Sequence, residues 1–186
     1  MIDKKILLGV TGGIAVYKAL ELTRLFTKAG AAVRVVMTPH ATAFVTPLSF
    51  ETLSGHPVGV DLMSLTRERE IGHIETARWA DVAVIAPATA NLLGKAANGI
   101  ADDLLTTVLL ALPSDTPMVL APAMNTRMWE NPAVQRNLGI LRDLYGRRLH
   151  QVGPVSKELA CREEGLGAMA EVGEIFDVVQ AVLLRS

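Results

Sequence analysis

Apolar runs and helix-period segments alternate along the chain. Lys5-Ile6-Leu7-Leu8-Gly9-Val10-Thr11 predicts a first strand. After Gly12-Gly13 a helix is predicted to about Gly30. Ala15, Ala19, Leu22, Leu25, Phe26 and Ala29 share one face of it, and Gly30 is its stop. Ala32 to Met37 predicts strand two. Asp81 to Ala86 predicts strand three, behind a helix carrying Trp79. Met118 to Ala121 predicts strand four, behind a helix from Leu104 to Leu112, and Arg148 to Val152 predicts strand five. A last helix is predicted from about Glu171 to Leu184, and the polar, turn-rich stretch Ser54 to Glu70 predicts an exposed loop. Strands alternating with helices imply βαβ units and a parallel sheet. No internal repeat or low-complexity tract interrupts the pattern.

Composition sharpens this. The chain has 186 residues, which favours one domain over 1–186. Half of the residues are hydrophobic but only 4% are aromatic. An Ala/Val/Leu/Ile-rich interior suits a parallel sheet covered on both faces. A net charge of −1 leaves no basic field for nucleic acid. The longest apolar runs fall far short of the roughly 20 residues of a membrane span. No signal peptide is visible, because Met1-Ile2-Asp3-Lys4-Lys5 leads straight into a strand. The one cysteine, Cys161, excludes an intrachain disulfide and fits a reducing cytoplasm. The four histidines and Cys161 show no metal-ligand spacing, so no metal is predicted.

Candidate chemistry gathers at the ends of the predicted strands, where ligands bind in open α/β sheets. Gly12-Gly13-Ile14 follows strand one. A tight strand-to-helix turn needs glycine for itself, and such a turn also lets backbone N–H groups approach a phosphate. It is not the Gly-x-Gly-x-x-Gly fingerprint. Thr38 stands after strand two where an NAD site would place an acidic residue, which points to a mononucleotide or another phosphate ligand. Pro87-Ala88-Thr89-Ala90-Asn91 follows strand three, with small residues that allow a flat ring to come close. Pro122-Ala123-Met124-Asn125 follows strand four. An Asn there suits a carboxylate or an amide, while Pro and Asn also make an ordinary turn. His73, at the start of the helix carrying Trp79, is a candidate proton carrier or a half-buried helix-start residue. His40, His56 and His150 have no such context. Cys161 lies in a glycine-bearing stretch, Leu159 to Met169, that predicts a flexible flap and an available thiol.

Together these segments resemble the flavin-containing cysteine decarboxylase family. The likeness covers almost the whole chain: Thr11-Gly12-Gly13-Ile14-Ala15, Gly72-His73-Ile74, Pro87 to Asn91, Pro122-Ala123-Met124-Asn125 with Met128-Trp129, and Leu159-Ala160-Cys161. The resemblance implies a three-layer, Rossmann-like or flavodoxin-like fold and FMN as cofactor. Gly12, Gly13, Ile14 and Thr38 would lie on the FMN phosphate side. Thr89, Asn91 and Ala123 would line the ring or ribityl chain. It implies oxidation of a substrate's cysteine thiol, loss of CO2 and reduction of the resulting enethiolate. His73 would assist the decarboxylation, Asn125 would grip the departing carboxylate, and Cys161 would donate the last proton. Asn125, Met124 and Ala160 would contact substrate. The implied substrate is 4′-phosphopantothenoylcysteine, giving 4′-phosphopantetheine for coenzyme A. A peptidyl-cysteine substrate, or a non-catalytic flavin-binding regulatory subunit, are the alternatives. Family members form trimers, often four together, with FMN at subunit contacts, and some continue into a phosphopantothenate–cysteine ligase. Three positions depart from the family pattern: Cys161-Arg162-Glu163 replaces Cys-Gly-Asp, Ala168 stands for Arg in Gly-Arg-Met, and Leu92 follows Asn91 in place of Thr.

Overall fold

A computed structural model describes residues 1–62, 72–158 and 164–185. The central sheet has the order β2-β1-β3-β4-β5, and all its pairings are parallel. Its strands are β1 (Lys5–Val10), β2 (Ala32–Met37), β3 (Val82–Ala88), β4 (Met118–Pro122) and β5 (Leu149–Gln151). This is the flavodoxin-like order. The helices are α1 (Val16–Lys28), α2 (Pro47–Ser54), α3 (His73–Trp79), α4 (Ala90–Ala97), α5 (Leu104–Leu110), α6 (Thr126–Trp129), α7 (Pro132–Tyr145) and α8 (Val172–Leu183).

Successive strand side chains point to opposite faces, and here both faces are covered. Ile6, Leu8 and Val10 of β1 join Phe26 of α1, Phe50 of α2 and Ile175 of α8 in one buried cluster. Leu7 joins Ile85, Leu105 of α5 and Leu138 of α7 in the other. Each large side chain buried this way contributes about 1.5–3 kcal/mol of transfer free energy. Strand β1 has β2 on one side and β3 on the other, so the chain leaves it in opposite directions. Such a reversal opens a crevice at the carboxyl ends of the strands.

Two expectations change. Of the predicted loop Ser54 to Glu70, the described part does not all face solvent. Val58 is fully buried, the Gly59 N–H donates to the Val35 carbonyl at 3.0 Å, and Gly59 accepts from the Met37 N–H at 2.8 Å. The free edge of β2 thereby gains backbone partners. Residues 63–71 lie outside the described residues. The predicted flap is also more regular than glycine content suggests. Strands β6 (Val155–Glu158) and β7 (Glu164–Ala168) pair antiparallel in a separate two-stranded sheet. Helices α2, α4, α6 and α7 were not part of the sequence pattern read above. Asn131 caps α7 by accepting the Ala133 N–H at 2.9 Å, and Pro132 opens the helix.

Candidate active site

The strand ends bound a cleft of about 1220 Å³. Its floor begins where β1 runs out. The Thr11 hydroxyl donates to the Pro87 carbonyl at 2.6 Å and accepts the Thr89 N–H at 3.2 Å, tying the ends of β1 and β3 together. Gly12 follows, and a Cβ there would come within 2.6 Å of the His40 Cβ and 2.7 Å of its carbonyl carbon. Only glycine allows that approach. It seats the turn Pro39–Ala43, which follows β2, against the loop that leads into α1. Thr38 precedes that turn. Its hydroxyl is buried and finds no hydrogen-bond partner among the described residues. A buried, unpaired hydroxyl costs about 1–3 kcal/mol, and a ligand oxygen in the cleft would remove that cost.

The second wall comes from β3 and β4. Thr89 caps α4, with the Leu92 N–H at 3.5 Å from its hydroxyl, and Asn91 is exposed toward the cleft it lines. The Ala123 N–H donates to Ala88 at 3.1 Å, holding the two strand ends together. Asn125 caps the short helix α6, its side-chain oxygen accepting the Arg127 N–H at 2.8 Å. An amide NH2 is the hydrogen-bond donor of such a side chain.

The β6–β7 hairpin closes one side. The Met124 N–H donates to the Gly167 carbonyl at 2.9 Å. Gly165 sits against the Thr126 side chain and Gly167 against the Met124 carbonyl, each so closely that a Cβ would collide. These glycines are docking positions, which is why their number does not signal a loose segment. Ala160, Cys161, Arg162 and Glu163 lie outside the described residues.

The cleft therefore gathers Gly12, Gly13, Ile14, Thr38, Thr89, Asn91, Ala123, Met124 and Asn125. His73 is not among its lining. It is the first residue of α3, half-buried, on a helix tied to β2 by the Arg34–Glu75 ion pair at 3.3 Å and by Arg34 stacked 4.5 Å from the Trp79 ring centre. His40, which the sequence left without context, does line the cleft. So do Lys18, Lys95, Asp102, Asp103, Lys157 and Glu171, none of which any motif flagged. Lys95 lies 2.6 Å from Asp102 and 3.1 Å from Asp103. The bond to Asp102 holds the ammonium pKa above its ordinary value and lowers that of Asp102. Asp103 and Thr106 form a capping box at the start of α5, a signal the linear sequence does carry.

Residues 1–184 match the family model described as Flavoprotein. The chain belongs to the Flavoprotein family. It is 47% identical over 172 residues to the coenzyme A biosynthesis bifunctional protein CoaBC of Vibrio cholerae, covering 92% of this chain and 42% of that protein. It is 46% identical to CoaBC of Bacillus subtilis, covering 96% of this chain and 43% of that protein. The chain thus spans about two fifths of these relatives' length. Among solved structures, a PPC decarboxylase mutant complexed with pantothenoylaminoethenethiol superposes with a TM-score of 0.85 at 38% identity, over 99% of this chain and 100% of the other. The FMN-binding protein AtHal3 gives 0.83 at 38% identity, over 99% and 98%. The FMN-dependent cysteine decarboxylase SpaF gives 0.79 at 35% identity, over 98% and 96%. Among the described residues of this flavoprotein, no helix is long and apolar enough to cross a membrane.

Proposed function

We propose that this chain binds FMN and decarboxylates 4′-phosphopantothenoylcysteine to 4′-phosphopantetheine, a carboxy-lyase step of coenzyme A biosynthesis. The observation that carries the reading is the cleft at the β1–β3–β4 strand ends. It brings together the buried Thr38 hydroxyl, which has no partner among the described residues, the Gly12-Gly13 turn and Asn125. Likeness to the CoaBC proteins and to PPC decarboxylase supports it.

The residues present fit FMN. The Gly12-Gly13-Ile14 turn and Thr38 would hold its phosphate side, and Thr89, Asn91 and Ala123 its ribityl chain or ring. When bound, FMN supplies the two-electron redox capacity that no side chain has. The protein supplies orientation and protons. The Asn125 NH2 donates to the carboxylate that will leave. Being neutral, it holds that group without the ground-state stabilisation a fixed cation would add. Met124, which lines the cleft, would contact the substrate's cysteine end, and the family resemblance implies the same role for Ala160. Cys161 delivers the proton to carbon in the final reduction.

His73 lies off its own chain's cleft, while Ile14, Tyr17 and Met128 are exposed at the mouth, 62%, 59% and 48% respectively. A homotrimer or dodecamer would cover those side chains and bring a neighbour's His73 to the cleft. Sedimentation is therefore expected to show an assembly of at least three chains. A stable species of 19.9 kDa, the mass of one chain, would rule the assembly out. A phosphopantothenate–cysteine ligase, fused or separate, is the expected source of substrate. A cytoplasmic setting fits the lone Cys161 thiol.

The test is mass spectrometry of products after anaerobic incubation of the FMN-loaded protein with 4′-phosphopantothenoylcysteine. The wild-type chain is expected to release CO2 and form 4′-phosphopantetheine. Cys161→Ser is expected to release CO2 but accumulate the enethiol. No reaction in the wild type, together with decarboxylation of a peptide ending in cysteine, would overturn the substrate.

A further inference from the structure

Of the histidines, His40 alone lines the cleft among the described residues, and it does so beside Gly12, Gly13 and Thr38. It stands on the turn Pro39–Ala43, which three hydrogen bonds hold in shape. The Thr38 N–H donates to the Val10 carbonyl at 3.0 Å, the Ala41 N–H to the Thr38 carbonyl at 2.9 Å, and the Thr42 hydroxyl to the Pro39 carbonyl at 2.7 Å. Gly12 packs on the backbone and Cβ of His40, so the position of the side chain is fixed at its root. The residue is nonetheless exposed, and its imidazole has no hydrogen bond or ion pair with another described residue.

The surroundings favour an anion. The N-cap of α1, Ala15, has no capping side chain, and the first turn of α1 holds no acidic residue. A helix start of that kind attracts negative charge. The Thr38 hydroxyl is an independent sign, for it belongs to a residue only 6% exposed and is buried without a partner among the described residues. The charged groups that share the cleft are engaged elsewhere. Lys95 is paired with Asp102 and Asp103, and Lys18 and Lys157 with Glu171, which shares a capping box with Glu174. Tyr17 is the remaining titratable side chain of the lining. On the elements beside the turn, Arg34 of β2 is paired with Glu75, and Glu51 of α2 accepts the Val58 N–H at 3.1 Å.

We propose that His40 is a further cofactor-binding residue, a pH-dependent clamp on the FMN phosphate. This clamp presupposes the FMN phosphate at Gly12 and Thr38, the placement given above. An imidazole carries positive charge below about pH 6.5. A phosphate monoester has a second pKa of about 6 and carries about −1.5 to −2 charges at pH 7. The two meet in a charge-assisted hydrogen bond, and an anion bound beside an imidazole extends its charged range upward. The contribution is therefore present below the free imidazole's pKa and lost as pH rises through the bound one. Thr38 and the Gly12-Gly13 backbone do not titrate, so they leave a basal phosphate affinity that pH does not remove.

The test titrates the flavin-free full chain with FMN and with riboflavin, which lacks the phosphate, in phosphate-free buffer, read by flavin fluorescence. At about pH 6, His40→Gln is expected to bind FMN about tenfold more weakly than the wild type, and at about pH 8.5 within about twofold of it. Comparing the two chains at one pH cancels the titration of the phosphate and of every other group. Riboflavin affinity is expected to be the same in both chains. His40→Lys, which stays charged throughout, is expected to hold FMN tightly at both pH values. Unchanged FMN affinity in His40→Gln at the lower pH would overturn the proposal. So would an equal fall for FMN and riboflavin, which is what a merely structural role in the turn predicts. A wild type that binds both flavins alike would overturn the phosphate placement as well. Substrate takes no part in the titration, so a failure of the decarboxylation reading is seen separately.

Discussion

Replacing Asn125 by Asp is expected to lower the rate of CO2 release by about 100- to 1000-fold while FMN stays bound. Asp is as good a helix cap as Asn, so the acceptor that holds the Arg127 N–H at 2.8 Å is retained and α6 keeps its start. What changes is the other end of the side chain. The amide NH2, the group that would donate to a substrate carboxylate, becomes a second carboxylate oxygen. A charge-assisted hydrogen bond is worth about 1.5–3 kcal/mol, and two carboxylates brought together add several kcal/mol of repulsion. The flavin-side residues Gly12, Thr38 and Thr89 are untouched, so the bound-flavin absorption spectrum separates lost chemistry from lost cofactor. Turnover within about threefold of wild type, with flavin bound, would remove Asn125 from the reaction.

The second large effect concerns the floor of the cleft. Gly12→Ala is expected to weaken FMN binding about 100-fold, read by fluorescence titration. The added methyl would lie 2.6 Å from the His40 Cβ, 2.7 Å from its carbonyl carbon and 2.9 Å from its carbonyl oxygen. Two of these are backbone atoms, which cannot swing aside as a side-chain end can. The turn at Pro39–Ala43 must therefore move off the β1 loop, and Thr38 moves with it. Overpacking of this kind costs about 1–3 kcal/mol, here concentrated at the place where the cofactor's phosphate would sit. Gly13→Ala supplies the comparison. Its Cβ would meet only the Thr89 Cγ2 at 3.5 Å, an ordinary contact, so its loss is expected to be less than about tenfold. Equal affinities for wild type and Gly12→Ala would show that the Gly12–His40 contact does not shape the flavin site.

The amino-acid sequence by itself determined the architecture and the strand-end motifs. Its apolar runs and period-3.6 patterns are local, and a strand buried on both faces keeps such a run whole. Strand two was read at the bounds the structure has, Ala32–Met37, and strands one, three, four and five at bounds within two residues. The turn Gly12-Gly13 and the segments ending in Asn91 and Asn125 were legible because each directly follows an apolar run. Helix α7 carried signals of the same kind, Asn131-Pro132 followed by Val134, Leu138 and Leu141 at helical spacing, that could have been used. Only the tertiary structure decided the rest, for a single physical reason: the deciding contacts join residues far apart along the chain. Gly12 is required because His40 comes back against it after β2. The two cations on Glu171 come from α1 and from a hairpin strand, 153 and 14 residues away. Gly165 and Gly167 read as looseness in one dimension, yet they are the positions where a hairpin lies flat on Met124 and Thr126. Val58 reads as part of a polar loop, yet it fills the space beside β2 whose backbone Gly59 completes.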